Sequence, residues 1–392
     1  MCREGCPIHT NIPEMIQMFL NGKMMDAGKM LFNNNPLSVV CSLVCSHENQ
    51  CQGHCVLGRK SHPVHISSIE NYISSAYLER LEYEKPEHNG KRVGIVGSGP
   101  AGITIAIELA KRGYAVTIFE AREKIGGVLR YGIPEFRLPK IILEKYKRLL
   151  LELDIKIRPN ATIGGAISIE DIFRDGYDAL FIGTGVWQPN SLKIKGESLG
   201  NVHYAIAYLI NPDEYVLGDS LIVIGAGNAA MDVARTAVRK GVRNVTVFNR
   251  TSEVAASHHE YEFAKIDGVE FENNKIPVEI KPNGVIFADS KENEDGSIEK
   301  IEGTEKLYES DSVIVSISQG AQSQILSRTK GIDTNKKGLL VTNEYGETTR
   351  DGIFASGDIV KGAKTVVEAV KYSKLVADAM DEYMQGLEHS EE

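Results

Sequence analysis

The stretch Lys91-Arg-Val-Gly-Ile-Val96-Gly97-Ser-Gly99-Pro100-Ala101-Gly102 decides the fold. It reads as a short apolar strand, Lys91 to Val96, that enters a glycine-rich turn and continues as a helix to Arg112. A second strand, Ala115 to Glu120, ends on an acid. In that order the parts form a βαβ dinucleotide fingerprint. Gly97 permits the tight turn, Gly99 lets the backbone approach a pyrophosphate, and Gly102 lets helix and strand pack closely. Pro100 and Ala101 open the helix, whose unpaired N–H groups face the phosphates. Glu120 is expected to hydrogen-bond ribose hydroxyls.

The pattern returns downstream. Ser220 to Ile224 is a strand, Gly225-Ala-Gly227-Asn228-Ala229-Ala230 the turn, Met231 to Lys240 the helix and Asn244 to Asn249 the next strand. Ala230 stands at the third glycine position, where alanine is tolerated. Laid over each other, the two copies pair Glu120 with Asn249. A carboxylate there would repel the 2′-phosphate of NADP, whereas Asn249 followed by the guanidinium of Arg250 accepts it, so NADPH is favoured over NADH.

Around these units, residues 276 to 315 alternate between strands and turns, Gly352 to Asp358 is a strand running into a turn, and Thr365 to Met384 is a helix. Before them, Tyr83 to Gly90 is polar and turn-rich. The earlier residues show helical apolar spacing at Ile12–Phe19, Lys23–Phe32 and Ile66–Leu81. With two dinucleotide units in the chain and all six cysteines in its first 55 residues, the expected class is α/β, with two Rossmann-like three-layer dinucleotide-binding domains, for FAD and NAD(P), and an amino-terminal α-helical iron–sulfur domain. The expected boundaries are 1–85 for the helical domain, 91–208 with 330–392 for a discontinuous FAD domain, and 209–329 for the NAD(P) domain.

At 392 residues the chain has room for two to three domains. Its net charge of -9 and lack of a long basic run argue against nucleic acid as a partner. No apolar run approaches the length of a membrane span, and charge stands where a signal peptide needs an apolar core, so the expected compartment is the cytoplasm. All six cysteines, Cys2, Cys6, Cys41, Cys45, Cys51 and Cys55, lie in the first 55 residues. In a reducing compartment such a cluster points to metal before disulfides. A cysteine followed by proline and the C-x3-C steps suit iron–sulfur clusters better than the usual zinc spacings, with zinc or incidental thiols as the other readings.

Two nucleotide sites on one chain suggest a flavin that takes hydride from a nicotinamide. With no thiol after Cys55, reduction of a disulfide beside the flavin is excluded, and the cysteine-rich segment is the remaining local outlet for electrons. Hydride transfer needs placement rather than a proton donor, so no catalytic residue is expected.

These motifs, with Gly126-Gly127, Tyr131-Gly-Ile-Pro-Glu-Phe-Arg137-Leu-Pro139 and Gly357-Asp358 ahead of Thr365-Val366, resemble the small (beta) subunit family of NAD(P)H-dependent glutamate synthase. That family includes the amino-terminal half of dihydropyrimidine dehydrogenase and the large subunit of NADH-dependent ferredoxin:NADP oxidoreductase. The resemblance implies that Glu120 binds the FAD adenosine ribose, Gly127, Val128 and Arg137 line the flavin, Asp358 holds its ribityl or pyrophosphate region, and Thr365 starts a helix whose positive end faces the ring. It implies a [4Fe–4S] cluster on Cys6, Cys45, Cys51 and Glu70, and a second, incomplete one with only Cys2 and Cys55 in place, as though the chain started partway through its own motif. Cys41 is then a bystander thiol. The implied activity is that of an electron-input subunit, passing hydride from NAD(P)H to FAD and single electrons through the cluster to a catalytic partner subunit or ferredoxin. Other readings are the input subunit of a dihydropyrimidine dehydrogenase or ferredoxin:NADP transhydrogenase, a stand-alone diaphorase, and a non-catalytic scaffold.

Overall fold

A computed structural model describes residues 1–83, 87–321, 325 and 329–387. Part of the predicted linker, 84–86, and the last five residues of the predicted FAD domain lie outside them. By contact the chain forms two compact units, one of residues 1–130, 135–188 and 320–392, the other of 131–134 and 189–319.

The first unit opens with helices α1 (Cys2–Gly5), α2 (Ile12–Leu20), α3 (Met24–Asn34), α4 (Ser38–Val44) and α5 (Ile66–Arg80). Ile12, Met15, Ala27, Leu31, Ile66 and Ile73 close into one apolar cluster that also takes in Cys51, with Cys2 and Cys6 packed against it. Three of the thiols thus lie in or against one hydrophobic cluster.

The same unit continues with β1 (Arg92–Val96), α6 (Pro100–Ala110), β2 (Ala115–Phe119), α7 (Val128–Tyr131), α8 (Ile141–Glu152), β3 (Lys156–Arg158), α9 (Ile169–Arg174) and β4 (Ala179–Ile182). Strand Ile353–Ala355 completes a parallel sheet in the order Ile353–Ala355, β4, β1, β2, β3. Val93 to Val96 and all of β4 are buried, as strands covered on both faces must be. The order reverses beside β1, which opens a crevice at the carboxyl ends of β1 and β4. Helix Val366–Gly386 packs along α6, where Arg112 holds Asp381 at 2.9 Å and the Tyr114 hydroxyl donates to Asp381 at 2.6 Å.

The helical segment is fastened to this sheet domain by hydrogen bonds, one of them buried. Tyr146 of α8 donates to the Pro36 carbonyl at 2.8 Å, just before α4. Lys374 of the last helix donates to the carbonyls of Asn33 and Asn34, at 2.7 and 2.9 Å, capping the end of α3 with positive charge.

The second unit repeats the plan. Its parallel sheet runs Val202–Tyr204, Ser312–Val315, Ser220–Ile224, Asn244–Phe248, Glu270–Glu272. The expected boundary at 208/209 falls inside this unit, because Val202–Tyr204 pairs with Ser312–Val315 and draws the preceding residues with it. An antiparallel sheet of Lys275–Lys281, Gly284–Glu292, Ile298–Lys300 and Lys306–Glu309 is appended, and Phe248 stacks on Phe287 to seal it to the main sheet. Among the described residues no helix is long and apolar enough to cross a membrane.

Candidate functional site

In the first unit the turn after β1 is built for close backbone approach. Gly97 has φ +99°, and a Cβ there would lie 2.6 Å from the Gly183 carbonyl that follows β4. A Cβ on Gly102 would sit 2.0 Å from the Gly97 carbonyl, so only glycine lets α6 start against β1. A Cβ on Gly99 would meet nothing within 4 Å. The protein itself therefore leaves Gly99 as the open lip of the turn, with the first N–H groups of α6 behind it.

Glu120 is buried, and its carboxylate holds the turn. One oxygen accepts from the Ser98 N–H at 3.0 Å and from the Ser98 hydroxyl, the other from the Arg122 N–H at 2.8 Å. One lone-pair site remains for a ribose hydroxyl, on the oxygen that accepts from Arg122. Gly126 donates to the Ser98 carbonyl at 3.0 Å, and a Cβ on Gly127 would lie 2.8 Å from Gly99 Cα, so this second glycine pair packs onto the first turn. Val128 opens α7 and is half-buried, as is Arg137 beyond it.

From the other side, Gly357 at φ +77° brings the turn after Ile353–Ala355 against Ala101, 3.1 Å from an added Cβ. Asp358 accepts from the Lys364 N–H at 3.1 Å. Burial pushes its carboxyl up to about 6, against the lowering effect of that N–H, and Glu368 adds to the rise. Thr365 and Glu368 form a reciprocal cap at the start of the last helix, with Val366 its first residue. The sequence-predicted residues of the first turn, Gly97 to Gly102, thus meet Gly127 and Gly357 at the carboxyl ends of the strands.

In the second unit, Gly225 has φ +111° and an added Cβ would meet the Ser316 carbonyl at 2.2 Å, while one on Gly227 would meet nothing within 4 Å. Asn228 and Ala229 begin helix Asn228–Arg239, and Asn228 Oδ1 accepts from the Ser257 N–H at 2.9 Å. Asn249 turns its side chain into its own loop. Its amide donates inward to the carbonyls of Thr251 and Glu253, at 3.0 and 2.7 Å, and its Oδ1 accepts from the Thr251 hydroxyl. It shapes the loop, and Arg250 is the member of the pair left exposed, its own carbonyl accepting from Ser290.

The thiols divide into two groups. Cys6 ends α1, Cys45 ends α4, Cys51 lies in the turn that follows, and Glu70 projects from α5. Cys45 and Cys51 feel the charges of Glu70 and Cys6. Cys45 is held well above the usual thiol range by its hydrogen bond with Cys41, by burial, and by the charges of Cys41, Glu70 and Cys6. Cys51 is pushed up to about 12 by burial and by Glu70 and Cys6. Burial alone raises Glu70 to about 8. A carboxylate and three thiols gathered out of water are a poor arrangement by themselves and a good one for binding positive iron. Among the described residues no three such side chains stand close enough for a single ion. Cys55, outside this set, is lowered chiefly by the Val64 backbone N–H, with help from Gly58 and Leu57. Cys2 lies half-buried on α1.

Two neighbours were not read from the sequence. The Thr10 hydroxyl lies 3.4 Å from Cys6 Sγ. His47 Nδ1 lies 3.4 Å from Cys51 Sγ, with Nε2 3.1 Å from the Ser42 carbonyl. Cys41, expected as a bystander thiol, is buried one helical turn before Cys45 and close enough to Tyr146 for its charge to act there. The glycine cradles and the donor set fit two dinucleotides and an iron–sulfur cluster.

Comparison with known proteins agrees. Residues 91–373 match the family model described as pyridine nucleotide-disulphide oxidoreductase, and residues 1–81 match that of dihydropyrimidine dehydrogenase domain II, 4Fe-4S cluster. Fold and site together define an FAD- and NAD(P)-dependent oxidoreductase carrying an iron–sulfur domain. The glutamate synthase [NADPH] small chain of Halomonas elongata is 31% identical over 98% of this chain and 88% of its own. The dihydropyrimidine dehydrogenase subunit PreT of Salmonella typhimurium, described as NAD-dependent, is 30% identical over 98% and 91%. The chain belongs to the pyridine nucleotide-disulphide oxidoreductase family, in the branch that contains the glutamate synthase small subunits. Among solved structures, FprA of Mycobacterium tuberculosis in complex with NADPH shares the fold at TM-score 0.66 and 19% identity, over 76% of this chain and 86% of that one. Thioredoxin reductase of T. acidophilum does so at TM-score 0.60 and 21% identity, over 75% and 98%.

Proposed function

We propose that this chain is the electron-input subunit of a larger oxidoreductase, glutamate synthase small subunit-like, with NADPH as the favoured donor. Bound FAD supplies the chemistry that joins two-electron hydride acceptance to one-electron release, and a [4Fe–4S] cluster supplies one-electron carriage. The chain's own residues place these groups. Gly97, Gly99, Pro100, Ala101 and Gly102 receive the FAD pyrophosphate, and Glu120 takes the ribose on a carboxylate already fixed by Ser98. Gly127, Val128, Arg137, Gly357, Asp358, Thr365 and Val366 border the rest of the flavin. Gly225, Gly227, Asn228 and Ala229 receive the nicotinamide dinucleotide, with Asn249 bracing the loop that presents Arg250 to a 2′-phosphate.

Cys6, Cys45, Cys51 and Glu70 hold the complete cluster, and Cys2 and Cys55 are the fragment of a second. Electrons leave for a catalytic partner subunit or a ferredoxin. The observation that carries this reading is the joining, in one compact unit, of an open glycine lip at Gly99 and a set of half-buried and buried thiols with the buried Glu70. The relation to PreT supports a dihydropyrimidine dehydrogenase input subunit as the second reading.

The experiment compares wild type with Cys51→Ala under anaerobic conditions. Both should bleach their flavin with NADPH and reduce a small two-electron dye, and only the wild type should reduce a one-electron protein acceptor. A variant that reduces that acceptor as fast as wild type would make the chain a simple diaphorase.

A further inference from the structure

Cys6, one of the proposed ligands, has a hydroxyl beside it that the scheme above leaves without a task. Thr10 is 3% exposed, and its Oγ1 lies 3.4 Å from Cys6 Sγ. The same oxygen accepts from the Asn34 side-chain amide at 3.0 Å, and that amide lies 3.4 Å from the Ile8 carbonyl. Asn34 is the last residue of α3, and its own carbonyl is held by Lys374 at 2.9 Å. The hydroxyl is thereby fixed in place and in polarity. An amide N–H can only donate, so it occupies a lone pair of Thr10 Oγ1 and leaves the Thr10 proton to be directed elsewhere.

With Cys6 as a thiol, its S–H donates to Thr10. With Cys6 as a thiolate on iron it has no proton to give, and the contact is kept only if the Thr10 O–H turns to donate to sulfur. We infer that Thr10, oriented by Asn34, donates a hydrogen bond to the Cys6 sulfur in the cluster-loaded protein and raises the reduction potential of the cluster. A donor at a ligand sulfur stabilises the more negative, reduced cluster over the oxidised one, because hydrogen bonds to the sulfurs and burial are what set such potentials. Thr10 is buried and Cys6 packs against the cluster of Ile12, Met15 and Ile66, so the bond is partly shielded from water. Asn34 acts through Thr10 and is a positioning residue, and through Lys374 it ties the donor to the last helix of the sheet domain.

This inference rests on the reading of Cys6 as a ligand. The test is a potentiometric titration of the reconstituted full chain, followed by electron paramagnetic resonance, for wild type, Thr10→Val, Thr10→Ser and Asn34→Ala. Valine matches threonine in shape and lacks the donor, so its cluster midpoint should move to more negative potential while the flavin midpoint stays. Serine keeps the donor and should restore the wild-type value. Asn34→Ala should shift it in the same direction by less, and it covers the case in which Thr10→Val fails to fold. In pulsed measurements after exchange into D2O, a deuteron coupling present in wild type and Thr10→Ser should vanish in Thr10→Val. A midpoint unchanged in both Thr10→Val and Asn34→Ala overturns the inference. Cys6→Ala is measured alongside. Full retention of its cluster would overturn the ligand reading itself, whereas its loss together with unmoved Thr10→Val potentials would overturn only the role given to Thr10.

Discussion

Asp358→Asn separates what the flavin needs from what the protein alone would prefer. Burial lifts this carboxyl from its ordinary 3.8 to about 6 in the protein without flavin, with Glu368 adding to the effect. For an acid whose folded pKa is raised, folding is favoured by the protonated form. The advantage is complete below about pH 4 and is lost as pH rises through about 6, so the ionised group is a cost above that. Two pH units at about 1.36 kcal/mol each set the cost near 3 kcal/mol at most. Asparagine keeps an oxygen for the Lys364 N–H and carries no charge. The deflavinated variant should therefore be more stable than wild type above about pH 7, by up to about 3 kcal/mol, with the gap closing towards about pH 4. Urea unfolding midpoints across that range measure it. The same substitution should weaken flavin binding by about tenfold or more, if the carboxylate accepts a flavin hydroxyl or orders its pyrophosphate surroundings. Equal midpoints at neutral pH, or a gap that persists unchanged in acid, would refute the electrostatic reasoning.

Gly99→Ala should fold and unfold like wild type yet lose FAD, because its Cβ meets only the space the nucleotide takes, whereas Gly102→Ala, 2.0 Å from the Gly97 carbonyl, should lose stability as well; flavin content and thermal melts distinguish them. Arg250→Gln should lower kcat/KM for NADPH by about tenfold and leave NADH within about twofold, since only NADPH carries the extra phosphate. Tyr146→Phe should cost about 1–3 kcal/mol by leaving the buried Pro36 carbonyl unpaired, read as a shift in the urea midpoint.

Both glycine turns were legible because backbone geometry dictates residue type there. Gly97 and Gly225 have positive φ and no room for a Cβ, and no other side chain meets those two demands at once. The strands were legible for a similar reason, since parallel strands buried on both faces read as short apolar runs, as Ser220–Ile224 does. Helix Ser38–Val44 was not, because nearly all of it is buried and it shows no polar face to give a period. At Asn249 the sequence located the position and left the orientation open. Its amide is turned inward by the carbonyls of Thr251 and Glu253, a choice made by loop geometry. The Thr10 to Asn34 contact and the Lys374 cap join residues far apart in the chain, through packing that no local pattern announces.

The central claim is that a flavin and one complete cluster share this chain, and its most direct test is anaerobic analysis of iron, sulfide and flavin in the intact protein. The account predicts about four irons and four sulfides for each flavin, with the iron lost in Cys51→Ala and the flavin kept. About eight irons per chain, or iron retained in full by that variant, would contradict it.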